Sequence, residues 1–464
     1  MSHKSHSGSR PENQNLLATQ PINTLFMRLA MPMVFGMLIN GLYNLVDAFF
    51  VSQFIGSDAM AAVSIAFPLQ MVIISLAASI SNGSSVLVSQ FLGANNPLKA
   101  NHIVSNAIRL IILLAVMIAV ISFFLQSSLL QILQVPTTLK EGVIDYFMPL
   151  ALGSILVFLL SLLSDLLRAQ GKMKALLVII LMGAIANILL DALFIVVFDW
   201  GLTGAATATL SAQLLGCILG IKYFSPSNSI LKLQPLSSPL NVNIAKNILA
   251  LGAPVLIQYA GASILIALIN AMISFSINDH TVNWLSAYGI IGRLNIFMIL
   301  PLIAMTNATQ TIVSFNHGAN NKARTHQALR QGIKASVVYL SIMASLLLAI
   351  PNVLLAAFTN DKVVIELGVE IAQMMFIFLP LAGISSTAVA FLQGIGYAKQ
   401  ALLLSMVKVY FLVLPLLFVI HTLWGFEKLW YAFPLADLGA LALVSGLFIV
   451  YKKNNTRQLV KGAL

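Results

Sequence analysis

The sequence predicts an all-α, polytopic membrane protein with about 12 transmembrane helices in two pseudo-symmetric six-helix bundles. Three observations predict it. Hydrophobic residues make up 59% of the 464-residue chain and charged residues only 8%, against about 25% charged in soluble domains. The apolar residues fall into long runs near the roughly 20 residues that cross a bilayer as a helix. A polar motif recurs at one fixed offset, which marks a duplicated bundle.

The elements follow in order. Residues 1–24, with Ser2, His3, Ser5, His6, Gly8 and Pro11, are polar and read as a disordered cytoplasmic tail rather than a cleavable signal peptide. Hydrophobic runs bounded by charged or turn-rich breaks predict spans near 26–50, 60–91, 103–125, 143–167, 175–198 and 202–222. These form an N-lobe, 25–222. A linker, 223–245, carries Pro226, Pro235 and Pro239 and five serines. Six more spans near 246–276, 284–315, 331–356, 368–393, 400–421 and 430–451 form a C-lobe, 246–451, and a cytoplasmic tail follows at 452–464.

The net charge of +11 reflects topology. With the N-terminus cytoplasmic, the breaks holding Lys99, Arg168, Lys172, Lys174, Lys222, Lys232, Lys246, Lys322, Arg324 and Lys399 all fall inside, as do both tails. The opposite breaks hold Asp58, Glu141, Asp145, Asp199, Asp279, Asp361, Glu366 and Glu427, with Lys140, Lys362 and Lys428 as their basic residues. This is the positive-inside asymmetry, so the charge does not point to a nucleic-acid partner. The single cysteine, Cys217, excludes an internal disulfide framework and a cysteine-based metal cluster. The sequence holds no P-loop, dinucleotide fingerprint or His-Glu-x-x-His, so it predicts no cofactor, and any transport would draw on a gradient.

The repeat is explicit. Val88-Ser89-Gln90-Phe91-Leu92-Gly93-Ala94-Asn95-Asn96 recurs as Val313-Ser314-Phe315-Asn316-His317-Gly318-Ala319-Asn320-Asn321, 225 residues later, and the same offset carries Gly171 onto Gly396. Six spans per copy place the repeats parallel, related by an axis along the membrane normal.

Polar groups inside spans are costly and default to function. In span one Asn40, Asn44 and Asp47 fall at i, i+4 and i+7, a polar stripe on an apolar helix. Asn187 and Asp191 stand at i and i+4 in span five, and Thr209 and Gln213 repeat that spacing in span six. Counted along their helices, Asp47, Asp191 and Thr209 all reach the outer half of the bilayer. Carboxylates and a hydroxyl at one depth suit either a proton site or an oxygen-ligated Na+; helix-locking hydrogen bonds are the structural alternative. Pro32, Pro68, Pro254 and Pro301 interrupt the first two spans of each half. Pro32 is a candidate hinge, with a fixed kink as the alternative.

Asn40-Gly41-Leu42-Tyr43-Asn44-Leu45-Val46-Asp47, the paired Gly-Ala-Asn turns, Arg168-Ala169-Gln170-Gly171 and Asn187-Ile188-Leu189-Leu190-Asp191 resemble the multidrug and toxic compound extrusion (MATE) family, over about 25–452. Arg293-Leu294-Asn295, Gln310 and the Asn316-His317-Gly318-Ala319 turn are most similar to its MepA-like bacterial branch, although Thr311 stands where that branch often has proline. The resemblance implies two bundles around a V-shaped cavity in a bacterial inner membrane, and antiport of H+ or Na+ against an organic solute. Asp47, Asn187, Asp191 and Thr209 match the family's N-lobe coupling site, with Asn44 on the same stripe.

Candidate cavity residues are Asn40, Tyr43, Gln213, Gln258, Asn270, Arg293 and Asp437. Some branches place a coupling glutamate in span seven; here that span carries Gln258, Tyr259 and Asn270 instead. Asp437 is the C-lobe carboxylate singled out, as a contact for a cationic substrate or as a satisfier of helix ends. Arg293 could pair with a substrate acid or with Asp437. Lys408 is expected to snorkel to the cytoplasmic interface, and Asp165 to pair locally with Arg168. The expected partners are small organic molecules and the lipid bilayer, with the chain monomeric. A dedicated metabolite exporter or a lipid-linked glycan flippase is the alternative transporter. A membrane enzyme would need a convergent nucleophile, base or metal set, and the sequence offers none.

Overall fold

A computed structural model describes residues 12–225, 229–232, 240–276 and 281–461. Residues 1–11, with His3 and His6, and the linker prolines Pro226, Pro235 and Pro239 lie outside the described residues. All secondary structure among the described residues is helical.

The chain begins with α1 (Glu12–Thr19) and crosses in α2 (Ile22–Phe50), α3 (Ser57–Gly93) and α4 (Pro97–Phe124). A short α5 (Gln126–Ile132) leads to α6 (Lys140–Leu152), α7 (Ser154–Ala169), α8 (Met173–Asp191) and α9 (Gly201–Lys222). The second half repeats the course with α10 (Val242–Ser276), α11 (Thr281–Gly318) and α12 (Lys322–Ala349), then a short α13 (Pro351–Ala356). It ends with α14 (Lys362–Met375), α15 (Leu379–Gly394), α16 (Ala398–Met406), α17 (Leu414–Trp424) and α18 (Ala432–Lys461). Ten of these runs are long and apolar enough to cross a membrane. The pairs α6/α7 and α14/α15 are bent by 50° and 54°, and counting each as one span gives 12.

Three expectations are corrected. The N-terminal tail is not wholly disordered. It forms α1, and Leu17, 1% exposed, lies against Gly171. Arg324 fixes the segment by donating from Nη2 to the carbonyls of Leu17 (3.1 Å) and Gln20 (2.8 Å). Span nine does not run from 331 to 356. Its helix starts at Lys322 and stops at Ala349, because Ile350 precedes Pro351 and leaves the helical region (φ −130°, ψ 45°). The last helix runs past the predicted span end at 451, on to Lys461.

The repeat is physical as well as textual. Asn95 and Asn320 share the left-handed conformation at φ 56°, and Gly171 and Gly396 occupy it at φ 73° and 83°, where glycine carries no steric cost. Asn96 and Asn321 cap α4 and α12 by accepting from the N–H groups of Lys99 and Arg324, each at 3.1 Å.

The halves meet on the side that carries α1 and the end of α18, here the termini side. α3 packs against α10 and α11, and α2 against α11. A Cβ at Gly93 would overlap the Phe315 carbonyl, and one at Gly318 the Gln90 carbonyl; Gly83 stands likewise against Ile248, and Gly252 against Ser79. Around these crossings lies a buried polar network. Asn82 donates to Gln310 Oε1 (3.0 Å), Gln310 donates to Gln393 Oε1 (2.9 Å), and Gln393 donates to the Leu251 carbonyl (2.8 Å). Arg168, 2% exposed, pairs with Asp165 at 3.0 Å as expected. It also reaches across to Gln310 Oε1 (3.1 Å), Thr311 Oγ1 (3.2 Å) and the Asn307 carbonyl (3.3 Å).

Candidate ion and substrate site

The site is built on α2, α8 and α9, which pack side by side as α2 on α8 and α8 on α9. On α2, Asn40 and Asn44 are exposed, and Asn44 Nδ2 donates to the Asn40 carbonyl at 2.6 Å. Asp47, one turn further, is half-buried, and its Oδ1 accepts no hydrogen bond among the described residues. On α8, Asn187 is 2% and Asp191 0% exposed. Asn187 donates from Nδ2 to Thr209 Oγ1 on α9 at 3.5 Å, which leaves its Oδ1 without a donor. Both carboxylate oxygens of Asp191 are also without one. Gln213, a turn beyond Thr209, keeps a buried Oε1 in the same condition.

Asp47 and Asp191 are close enough to interact electrostatically. Tyr43 lies within reach of both, beside Asn44. The fold adds one group that sequence reasoning missed. Tyr146 of α6, buried, comes into the field of Asp47, Asp191 and Tyr43, with Gln70 of α3 alongside. A tyrosine inside a predicted span with no polar residue at helical spacing gives no signal in sequence; only the packing of α6 onto α3 and α9 brings it there.

Local helix geometry changes beside the acids. α2 passes into a π-helical turn, Val51–Ile55, just beyond Asp47, and α8 into another, Ala192–Val197, directly after Asp191. Wide turns of this kind interrupt the regular ladder and occur often at functional sites. Pro32 lies within α2, which remains helical through it.

The C-terminal half is arranged differently from the sequence expectation. Lys408 does not snorkel to an interface. It sits in a third π-helical stretch, Val407–Val413, and pairs with Asp437 at 2.6 Å, with side-chain exposures of 30% and 7%. Asp437 is therefore engaged, and Arg293 does not pair with it. Gln258 is exposed and donates to Ser405 Oγ at 3.5 Å, and Asn270 and Arg293 are exposed. Glu370, half-buried in α14, is a further C-half carboxylate within a predicted span that the sequence reading passed over. Its neighbours at helical spacing, Glu366 and Gln373, were the available signal. No group of three or more His, Cys, Asp or Glu suited to a metal ion occurs among the described residues.

The profile of the MatE family matches residues 32–193 and again 259–419. The chain belongs to the MatE family. It is thus a multi-pass membrane transporter and not an enzyme, and the two matched stretches start 227 residues apart, close to the spacing of the repeat. This MATE protein is 22% identical to the multidrug export protein MepA of Staphylococcus aureus over 95% of this chain and 97% of that one. It is also 22% identical to MepA of Staphylococcus haemolyticus, over 94% and 95%. Among solved structures, a multidrug resistance MATE family transporter in an outward-facing conformation superposes with a TM-score of 0.88 at 22% identity, covering 97% of this chain and 99% of that one. A MOP superfamily transporter from Pyrococcus furiosus gives 0.85 at 23%, covering 93% and 96%. These superpositions carry the fold.

Proposed function

We propose that this MATE protein is a secondary antiporter of a bacterial inner membrane. It exports organic, cationic and lipophilic drugs or toxic compounds in exchange for H+ or Na+, with both termini cytoplasmic and each monomer enclosing its own pathway. The reading is supported most by one observation: buried oxygens of Asp47, Asn187 and Asp191, four in all, that accept nothing from the described residues. Buried acceptors cost free energy unless a donor or a cation meets them. An all-oxygen cluster that includes two carboxylates suits a proton on the acids or a hard cation such as Na+ held by Asp47, Asn187, Asp191 and Thr209. Loading the site, with protons on the acids or with one Na+ that offsets one of the two carboxylate charges, weakens their hold on a cationic solute and alters the packing of α2 against α8, with Pro32 as the hinge. The units that move are 25–222 and 246–451, joined by 223–245. The two MepA relatives, which are multidrug export proteins, support the direction and class of transport.

The test is transport of a fluorescent lipophilic cation in proteoliposomes under a pH gradient and, separately, a Na+ gradient. One gradient is expected to drive transport, and Asp191→Asn to lose that drive. Transport that neither gradient powers, or that Asp191→Asn and Asp47→Asn leave equally gradient-dependent, overturns the coupling scheme.

A further inference from the structure

Charged residues inside a bilayer are tolerated when matched or when they line a polar cavity. Arg168 and Lys408 are each matched to an acid, Asp165 and Asp437. Arg293 is different. It lies twelve residues into the 38-residue helix α11, is exposed, and has no hydrogen-bond or ion-pair partner among the described residues.

Its depth and direction follow from the packing of α11 on α2. Gly41 of α2 lies against Leu300 and Phe297 of α11: a Cβ there would come within 2.9 Å of Leu300 and 3.7 Å of Phe297. The two helices run in opposite directions across the membrane. Asp47 stands six residues beyond Gly41, about 9 Å along α2 at 1.5 Å per residue. Arg293 stands four residues before Phe297 and seven before Leu300, about 6 and 10 Å along α11 in the same direction. The two charges are therefore level. Arg293, Phe297 and Leu300 also fall at i, i+4 and i+7, on one stripe, and that stripe is the one that meets α2. Arg293 thus looks from the second half of the molecule toward the exposed Asn40 and Asn44 of the first, not into lipid.

The space between the halves consequently has unlike sides: the exposed amides of Asn40 and Asn44 on α2, with the half-buried Asp47 and the buried Asp191 behind them, and a guanidinium on α11. A simple lipophilic cation would satisfy one side and be repelled by the other. A guanidinium presents a planar fork of donors that fits a carboxylate in a bidentate pair. We infer that Arg293 selects solutes that carry a carboxylate beside their cationic, apolar body, so that zwitterionic amphipaths are the preferred cargo. This rests on the export function proposed above and narrows its substrate class.

Rhodamine B and its ethyl ester share one cationic chromophore and differ only in whether the carboxylate is free. In proteoliposomes the wild-type protein is expected to transport the free acid with a KM at least tenfold below that of the ester. Arg293→Gln should raise the KM for the acid about tenfold and lower that for the ester, from which it removes a repelling charge, so that the preference for the acid is lost, while Arg293→Lys, a charge without the fork, falls between. Fluorescence polarisation in detergent reads binding of both dyes without any gradient, so recognition is scored even where coupling fails. Loss of gradient drive for both dyes in the wild-type protein, with the acid preference intact in binding, would sink the antiport reading alone. Equal affinity of the wild-type protein for acid and ester, absence of binding by either, or an Arg293→Gln variant that keeps the acid preference overturns the role of Arg293.

Discussion

Lys408 and Asp437 show what a matched charge does in this molecule. Asp437 is nearly buried, and its partner reaches it from the π-helical stretch of the neighbouring span. Removing one member leaves the other uncompensated, which costs about 3–5 kcal/mol for a fully buried pair. Because the Lys408 side chain is 30% exposed, Lys408→Met is expected to cost less, about 2 kcal/mol, and Lys408→Met with Asp437→Leu to recover most of it. Thermal unfolding of the purified single and double variants checks both. A double variant as unstable as the single would mean that Asp437 serves another partner. Arg168 is the opposite case, with one acid beside it and three acceptors across the inter-half seam. Arg168→Ala should both lower the unfolding midpoint and weaken the seam, while Arg168→Lys, lacking the fork, keeps the first effect small and the second large.

At the scale of elements, helix spacing made much of this protein legible. Long apolar runs gave the spans, and a fixed offset gave the paired turns, because the Asn95 and Asn320 turns, their asparagine caps and the Gly171 and Gly396 conformations each demand a particular residue type. Asn321→Ala is accordingly expected to cost about 1 kcal/mol, readable as a drop in the unfolding midpoint. Features that depend on which helix packs against which left no trace. Tyr146 enters the field of Asp47, beside Gln70, only because α6 packs against α3 and α9. Leu17 looked like part of a polar tail because its burial depends on Gly171 and Arg324 from distant segments. Lys408 looked free to snorkel because nothing in its own span identifies Asp437. The local helix breaks were also hidden: the bends at the α6/α7 and α14/α15 joints and the π-helical turn beyond Asp191 lie within single predicted spans.

For the whole molecule, the informative fact is where the halves touch. The four glycine crossings and the Arg168, Asn82, Gln310 and Gln393 network all lie on the termini side of the bundles, while Asn40, Asn44, Gln258 and Arg293 toward the other side are exposed. The molecule is therefore packed most closely on the termini side, and a transport cycle must part those contacts. A methyl group at Gly318 would overlap the Gln90 backbone, which cannot yield as a flexible side chain can. Gly318→Ala should thus favour the parted arrangement, and Gly93→Ala, its counterpart in the first half, should do the same. Asn82, 7% exposed at the centre of the seam, makes a reporter. With the buried Cys217 replaced by alanine, Asn82→Cys should react slowly with a maleimide supplied from the termini side. Gly318→Ala or Arg168→Ala should accelerate that labelling at least tenfold, while labelling from the opposite side stays unchanged. Labelling that is fast from the termini side in the otherwise unaltered protein would mean that the seam is not the barrier, and that the cleft between α2 and α11 closes elsewhere.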